Sequence, residues 1–398
     1  MARGLFAVLE DELSAEIVPE DTEQQERVEE LEAQVAEGEV TEAEGEVEEL
    51  VEAVEEAIDA VEEVEEIAEV AEGSVEAGDG LTEEAAEIAE VAVESICNRL
   101  GYKPAKRIVP AMESFGAVSS RLDATKYALE GFKETVSKIW EGIKAFFAKI
   151  GDSLKALWNK LFDLATKTAA RAESLTKKVK KAQKDKLVAG KGKVKVGKFH
   201  AAFNVASGDI TDAAINVIGT HLVIADKSAT VNSKMVANLE TVAKAESVAD
   251  VTLTDADFGD IAKGQLAYGY TAEVKEGVLV LTSAPVKAEA DAESDAADLA
   301  TLLTLANHVK SFAASISAYK GGAGKAQDVV KKAIALADKL AKKEGGENAK
   351  EQAKAFRNVQ TNLVAINKTI PVLGLRASGA ALDFIAANLK AYSVPAAK

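Results

Sequence analysis

Three histidines, one cysteine and one glycine-rich segment are the residues whose chemistry could support catalysis. A hydrolytic triad needs a nucleophile, a base and an orienting acid that meet in space. His200, His221 and His308 have no G-x-S-x-G or cysteine context, and three scattered histidines do not indicate a zinc site. The single cysteine, Cys97, excludes an internal disulfide framework and favours a reducing compartment. We therefore expect a protein that is not an enzyme and that holds no metal or cofactor.

The glycine-rich segment Gly321-Gly-Ala-Gly-Lys325 could be considered a phosphate loop. It does not satisfy G-x-x-x-x-G-K-[ST], and no strand is predicted before it. A flexible turn between two helices is the favoured interpretation. Paired carboxylates are so abundant in this chain that they do not indicate acid–base catalysis. An enzymatic function, located in a part of the chain with predicted β-strands, is therefore the least favoured hypothesis.

The charged residues divide the chain into two parts of opposite sign. Residues 1–113 contain 36 Asp and Glu against 6 Lys and Arg, a net charge of −30. Residues 114–398 contain 30 acidic against 41 basic residues, a net charge of +11. The two parts should attract each other, and once separated they would have different partners. The first residues do not form a secretory signal, and the chain has no uninterrupted apolar run long enough to cross a membrane.

The acidic part contains a glutamate-rich tract, residues 20–72, with apolar residues at coiled-coil spacing. The a and d positions are Val47, Leu50, Val54, Ala57, Val61, Val64, Ala68 and Ala71. Glutamate fills most other positions, so charge repulsion should oppose pairing between two copies of this helix. Two interpretations stay open, a solvated coil that is helical only in part and a helix that docks on a basic partner. Gly73-Ser74 is expected to interrupt the tract, and Thr82 should cap a second helix that extends to about Leu100.

An amphipathic stretch from Val136 to Phe162 follows the change of charge. Its apolar face includes Ile139, Trp140, Ile143, Phe146, Phe147 and Trp158, with lysines on the other face. Gly142 and Gly151 should loosen the helix without ending it. The apolar stripe favours the core of a helical bundle. The alternative function is a membrane-active amphipathic helix, which glutamates and aspartates within the stretch make the less favoured one.

A basic run follows this stretch, with 11 Lys and Arg between Arg171 and Lys198. Such a run could neutralise nucleic-acid phosphates without sequence preference. It could equally be a soluble linker, or a face that the acidic part covers. The candidate nucleic-acid contacts are Lys177, Lys178, Lys180, Lys181, Lys184, Lys186, Lys191, Lys193, Lys195 and Lys198.

The remaining residues predict a small α+β module and a helical C-terminal region. Short strands are predicted at 193–196, 221–225, 250–254 and 277–282. Helices are predicted at 294–319, 325–344, 347–370 and 376–392, divided by Gly321-Gly322, Gly345-Gly346 and Pro371. The fold class is thus mainly α with a small β-containing module (α+β). The expected divisions are 1–113, 114–189, 190–291 and 292–398.

One family resemblance is carried by residues around the change of charge and at the C-terminal end. The segment Glu113-Ser-Phe-Gly, followed by Ala128-Leu-Glu-Gly131, Ile139-Trp-Glu-Gly-Ile-Lys and Phe146-Phe147, resembles the mature internal head proteins of large tailed bacteriophages, the inner-body or prohead-core proteins. The segment Ala381-Leu-Asp-Phe-Ile-Ala with Lys390-Ala-Tyr392 resembles the closing helix of that family.

The resemblance implies a precursor whose propeptide is removed by the prohead protease of the phage. That protease cuts after glutamate in a small-x-Glu motif, which several tripeptides of the acidic part match and which Ala128-Leu-Glu130 matches as well. Ala111-Met112-Glu113 is singled out because it lies at the change of charge, in a predicted proline-flanked loop that a protease could enter. Ser114 would then begin the product. Residues 1–113 would then be an acidic propeptide, partly helical and partly disordered. The implied location is the capsid interior of the virion, after assembly in the cytoplasm of the bacterial host. The implied partners are the protease and other internal head proteins, the double-stranded DNA backbone is a candidate partner, and some family members leave the head with the DNA.

Overall fold

The computed structural model describes residues 20–395, except 103–107, 116–117, 191, 206–209, 243–252, 259–262, 288–290 and 343–348. Within these residues helices dominate, and the sheets have only two or three strands. The predicted class, mainly α with a small β module, is confirmed.

The acidic part forms two helices, α1 (Glu20–Glu76) and α2 (Glu83–Arg99). Gly73-Ser74 does not interrupt α1, because the helix continues to Glu76 before the exposed turn at Ala77 and Gly78. Thr82 caps α2 as predicted, since its Oγ1 accepts a hydrogen bond from the amide of Ala85 at 3.2 Å.

The chain then forms a 3-10 turn (Met112–Phe115) and the longest helix of the described residues, α3 (Val118–Lys184). This helix has 67 residues, which corresponds to about 100 Å. As predicted, the helix continues through Gly142 and Gly151. A Cβ at Gly142 would lie 1.6 Å from the Oη of Tyr102, so glycine there allows the end of the acidic part to approach α3 closely.

The next part of the chain combines short strands with helices. β1 (Val188–Ala189) pairs with the C-terminal β7 (Tyr392–Ser393), and β2 (Val194–Lys195) pairs with β6 (Glu293–Ser294). Three helices follow β2: α4 (Gly197–Ala202), α5 (Ile210–Val242) and α6 (Asp255–Phe258).

A three-stranded antiparallel sheet then contains β3 (Lys263–Gln265), β4 (Tyr270–Lys275) and β5 (Val278–Ser283). The β4–β5 turn, Glu276-Gly277, has positive φ at both residues, which suits a two-residue hairpin.

Two of the predicted strands are found and one is wrong. The predictions at 193–196 and 277–282 correspond to β2 and β5. The predicted strand at 221–225 instead lies within α5, where His221 and Ile224 are buried while Val223 is 42% exposed. That burial has helical period, and a run of four apolar residues, 222–225, does not distinguish a strand from a buried helix. Of the segment 250–254, residues 250–252 lie outside the described residues, and Leu253 and Thr254 form no strand.

The C-terminal region contains α7 (Leu299–Ala318), α8 (Lys320–Ala341), α9 (Ala349–Val364) and α10 (Ile370–Leu389). The segment Gly321–Lys325 lies in the first turns of α8 and is not a turn between helices, since the chain turns at Tyr319. Gly345-Gly346 lies outside the described residues.

Pro371 does not divide two helices as predicted. A π-helical turn, Ala365–Thr369, joins α9 to α10 and places Pro371 near the start of α10. Proline lacks an N–H and disturbs the preceding turn of an α-helix, and the widened π turn lies at that point of the chain.

The helices share one hydrophobic core, which extends from Ala36 in α1 to Ile385 in α10. Its centre includes a polar cluster. The side chains of Asn232 and Asn367 exchange hydrogen bonds of 2.9 and 3.0 Å, and Asn232 also donates to the Oη of Tyr319 at 2.7 Å. These bonds join α5 to the π turn and to the end of α7, so they fix one register among apolar helices.

One continuous helix of the described residues, Ala353–Leu389, is apolar and long enough to cross a membrane by length and composition alone. Within the protein 67% of its most apolar window is buried, and the core helix of a folded protein passes the same test. Lys368 and Arg376 interrupt the apolar run.

His221 is fully buried on α5, and its Nε2 accepts a hydrogen bond from the amide of Ala267 at 3.2 Å. Burial disfavours the charged ring and lowers the pKa of His221 from 6.5 to about 4. As the pH falls, the unfolded chain therefore binds a proton at His221 at a higher pH than the folded chain does. The stability contributed by the neutral ring is complete above about pH 6.5 and decreases as the pH falls toward 4, by up to about 3 kcal/mol.

We expect the variant His221→Gln to show a smaller loss of unfolding free energy between pH 6.5 and pH 4 than the natural chain, because the amide has no proton to take up in this range. Urea midpoints measured across that range by circular dichroism test this. The variant His308→Gln is the control, since His308 on α7 is only half-buried and contacts the backbone carbonyl of Thr304 on its own helix. Equal pH slopes for His221→Gln and the natural chain would contradict the assignment.

Candidate functional site

The acidic helix α1 packs along α3, with its predicted heptad face turned inward. Val47, Val54, Val61 and Val64 are all 0% exposed, and Leu50 packs partly buried against the same core. Of the two interpretations of the tract, the docked helix is confirmed. Its partner is the basic part of the same chain.

On the α3 side of this helix, two lysines contact its carboxylates. The Nζ of Lys160 lies 2.6 Å from Glu39, and the Nζ of Lys133 lies 3.4 Å from Glu72. The hydrogen bond to Glu39 raises the pKa of Lys160. The order of these contacts shows that α1 runs antiparallel to α3.

On the other side of α1, Arg357 of α9 contacts two acidic residues. Its Nη2 lies 2.6 Å from Asp59 and 3.4 Å from Glu62. Gln360, one turn further along α9, donates a hydrogen bond to the backbone carbonyl of Val51 at 2.9 Å. The helix α1 is therefore held by its backbone as well as by its side chains.

Two more cations contact α1 from the apolar C-terminal helix. The side chain of Lys368 is only 5% exposed and lies 3.4 Å from Glu48 and 3.9 Å from Glu44. Arg376 lies 3.0 Å from Glu44 and donates a hydrogen bond to Thr41. A lysine this buried needs its carboxylate partners, because removing them would leave an uncompensated charge in an apolar setting.

We call the channel between α3 and α9–α10 that α1 occupies the acidic-helix groove. An apolar floor and five surrounding cations define it: Lys133, Lys160, Arg357, Lys368 and Arg376. The sequence does not predict that these cations surround one helix, because they come from distant parts of the chain. Only Lys368 and Arg376 carried a signal, as single charges within an apolar run.

The predicted processing bond lies between the acidic helices and α3. Ala111 is exposed, Ser114 is half-buried, and Met112–Phe115 form a 3-10 turn in which the amide of Ser114 bonds to the carbonyl of Ala111 at 2.9 Å. The turn is held on both sides, since Val109 is 0% and Phe115 is 2% exposed. Residues 112–115 of the connection thus form a folded turn, and residues 103–107, which include Pro104 of the predicted proline-flanked loop, lie outside the described residues.

Nine of the ten predicted nucleic-acid lysines lie in the described residues, where they form two groups along the chain. Five lie on the last turns of α3, and Lys186 follows in a turn with positive φ. Lys180, Lys181 and Lys184 are exposed, and Lys178 is half-buried. Lys191 lies outside the described residues. The carboxylate of Glu173 is the partner of Lys177 at 3.5 Å.

The last three predicted lysines, Lys193, Lys195 and Lys198, line an open cleft of about 480 Å³. Arg171 and Lys390 line the same cleft, which Glu30 of α1 borders. Each of the three lysines lies 3.5 to 3.9 Å from an aspartate, so part of this positive charge is compensated within the chain.

The amphipathic stripe of α3 is part of the core. Ile139, Trp140, Ile143 and Phe147 are at most 1% exposed, Trp158 is 2% exposed, and Phe146 is partly buried. Trp140 and Phe147 each make an edge contact with the ring of Phe356, at centroid distances of 5.2 and 5.3 Å. The core interpretation of this stripe is confirmed, and its apolar face is not available to a membrane in this fold.

Three ionisable groups among the described residues have large pKa shifts, and desolvation by burial is the main cause of each: His221, Tyr268 and Tyr319, whose pKa is raised. Burial lowers the pKa of His221 and raises that of Tyr268 to about 12. No group of three or more His, Cys, Asp or Glu in the described ranges could hold a metal ion.

The chain thus folds with its own acidic helix docked on its basic part, and a comparison with protein families identifies the family to which it belongs. The model of phiKZ-like phage internal head proteins matches residues 35–390. The chain therefore belongs to this family of phage head proteins, which implies a location inside the head. The match begins within α1 and includes the bond after Glu113, so the resemblance found in short segments holds for most of the chain. No curated protein and no solved structure matches the chain.

Proposed function

We propose that this chain is a non-enzymatic internal structural protein of the phage head, made as a precursor and cut after Glu113 by the prohead protease. The basic part, from Ser114 onward, is packaged with the DNA. The observation that carries the proposal is the docking of acidic α1 on cations of the basic part, with a single connection between α2 and α3 joining the two.

The electrostatics give a reason for such a precursor. The −30 segment compensates the +11 remainder while a shell is assembled without DNA. Cutting the connection ends the covalent link between the two parts, and the basic part can then contact a polyanion through lysines that α1 does not occupy. The exposed lysines at the end of α3 then contact phosphates in a salt-dependent way.

The N-terminal residue of the protein from mature particles tests the cut. We expect the sequence to begin at Ser114. Particles that contain the intact chain from Met1 would overturn the proposal.

We also expect the variant Glu113→Gln to remain uncut in infected cells, since the protease recognises the glutamate of a small-x-Glu motif. Glu130→Gln is the matched control, because Ala128-Leu-Glu130 has the same motif. In the folded chain Ala128 is 0% and Leu129 is 8% exposed, which protects that bond. Gel mobility of the chain from purified particles measures both. A normal cut in Glu113→Gln would exclude this bond as the processing site.

A further inference from the structure

We propose that the acidic-helix groove is a receptor for acidic amphipathic helices. It retains α1 after the connection to α3 is cut, and it accepts the α1 of a second copy of this chain. The inference goes beyond the proposed function, which requires a cut but says nothing of what the cut releases.

The first argument is the burial of α1. Val47, Val54, Ile58, Val61 and Val64 are all 0% exposed, as in a helix at the centre of a domain. Cutting one peptide bond removes a covalent link and none of this burial. The favourable transfer of these side chains out of water therefore persists in the cut protein.

The second argument is the charge on both banks of the groove. The contacts extend from Glu39 with Lys160 to Glu72 with Lys133, which corresponds to about 50 Å of helix. Along that length the opposite side of the groove carries Arg357, Lys368 and Arg376, and each of these side chains lies within 4.0 Å of a carboxylate of α1. A ligand must therefore carry carboxylates on both edges and an apolar stripe between them.

The shape of the groove favours a helix over DNA as its occupant. Its width is that of one helix with side chains, about 10 Å. Its floor is apolar, whereas interfaces with DNA are polar and rich in positive charge. An amphipathic helix lying in an apolar groove is a common mode of protein recognition.

A second copy is the occupant that fits these requirements. Before the cut, the connection keeps each α1 at a high effective concentration beside its own groove. After the cut this advantage is lost, and identical helices from other copies compete on equal terms. The acidic helices should then exchange between copies.

The test uses the full chain with residues 103–107 replaced by the recognition sequence of a site-specific protease. After cutting, we expect the two fragments to elute together from a gel-filtration column at about 0.15 M salt, with the mass of the uncut chain by light scattering. Separation of the fragments at this step would overturn the proposal.

Exchange is measured by mixing two cut samples. One has an affinity tag at its C-terminus, and the other has a dye on its acidic fragment. We expect dye to be recovered on the tagged fragment. If no dye is transferred between copies, the proposal is overturned. If duplex DNA releases the acidic fragment and no exchange between copies occurs, the proposal is also overturned, and a polyanion is the occupant of the groove.

The variant Arg357→Glu with Arg376→Glu should exchange its acidic fragment about tenfold faster, because like charges replace the ion pairs with Asp59 and Glu44. Lys126→Glu with Lys287→Glu is the matched control, with the same change of charge at two exposed lysines outside the groove. Circular dichroism before the cut checks that both variants are folded. Equal rates in the two variants would contradict a role for the groove cations. This test is independent of the proposed function, which fails only if the particles lack a chain beginning at Ser114.

Discussion

Replacing Val61 with aspartate is expected to lower the unfolding free energy of the intact chain by about 4 kcal/mol. Val61 is 0% exposed at the contact between α1 and the rest of the protein. The substitution removes apolar contacts and places a carboxylate without a partner in the core, and both effects destabilise the folded chain. The shift of the urea midpoint, followed by circular dichroism, measures the loss.

Val70→Asp is the matched control for this prediction. Val70 lies on the same helix, and its replacement by aspartate makes the same change of charge, but Val70 is 66% exposed. We expect its effect to stay within about 0.5 kcal/mol. If the two variants unfold at the same urea concentration, then α1 does not dock on α3 in solution.

The second large effect concerns DNA. We expect this effect in the protein isolated from mature particles. A variant with glutamine at four positions, Lys180, Lys181, Lys184 and Lys186, should have a slope of log affinity for DNA against log salt concentration that is smaller by about 3.6. Each phosphate contact contributes about 0.9 to that slope. The unmodified protein should lose at least about a hundredfold in affinity between 50 and 200 mM salt. Fluorescence anisotropy with a short DNA duplex measures both quantities.

The control neutralises Lys126, Lys155, Lys287 and Lys331, which are exposed on other parts of the surface. It makes the same change of net charge. A general electrostatic attraction would give equal slopes for the two variants, and that result would exclude the end of α3 as the DNA contact.

The helices of this protein could be predicted from apolar residues that recur every three or four positions. Trp140 and Trp158 were placed in the core by that pattern, because a long amphipathic stripe with acidic residues beside its lysines suits a bundle better than a lipid surface. The same reasoning failed at His221, where a short apolar run was interpreted as a strand. It failed again at Pro371, since a local rule for proline does not foresee a π turn.

The groove itself could not be predicted. The opposite charges of the two parts indicated attraction, but not which residues meet. Arg357 and Asp59 are separated by almost three hundred positions, and only the folded chain brings them to 2.6 Å. Long-range pairs of this kind depend on the register of packed helices, and periodicity along one helix carries no information about that register.

If the chain is cut after Glu113 as proposed, the folded turn at that bond makes the rate of cutting depend on the local stability of the turn. A protease needs an extended substrate, whereas this bond lies in a hydrogen-bonded turn between the buried residues Val109 and Phe115. It can therefore act only on the small fraction of molecules in which the turn has opened. Each 1.4 kcal/mol that further stabilises the turn should lengthen the half-life of the proposed precursor about tenfold. Contacts inside the shell that open or close this turn would thus set the time at which maturation begins.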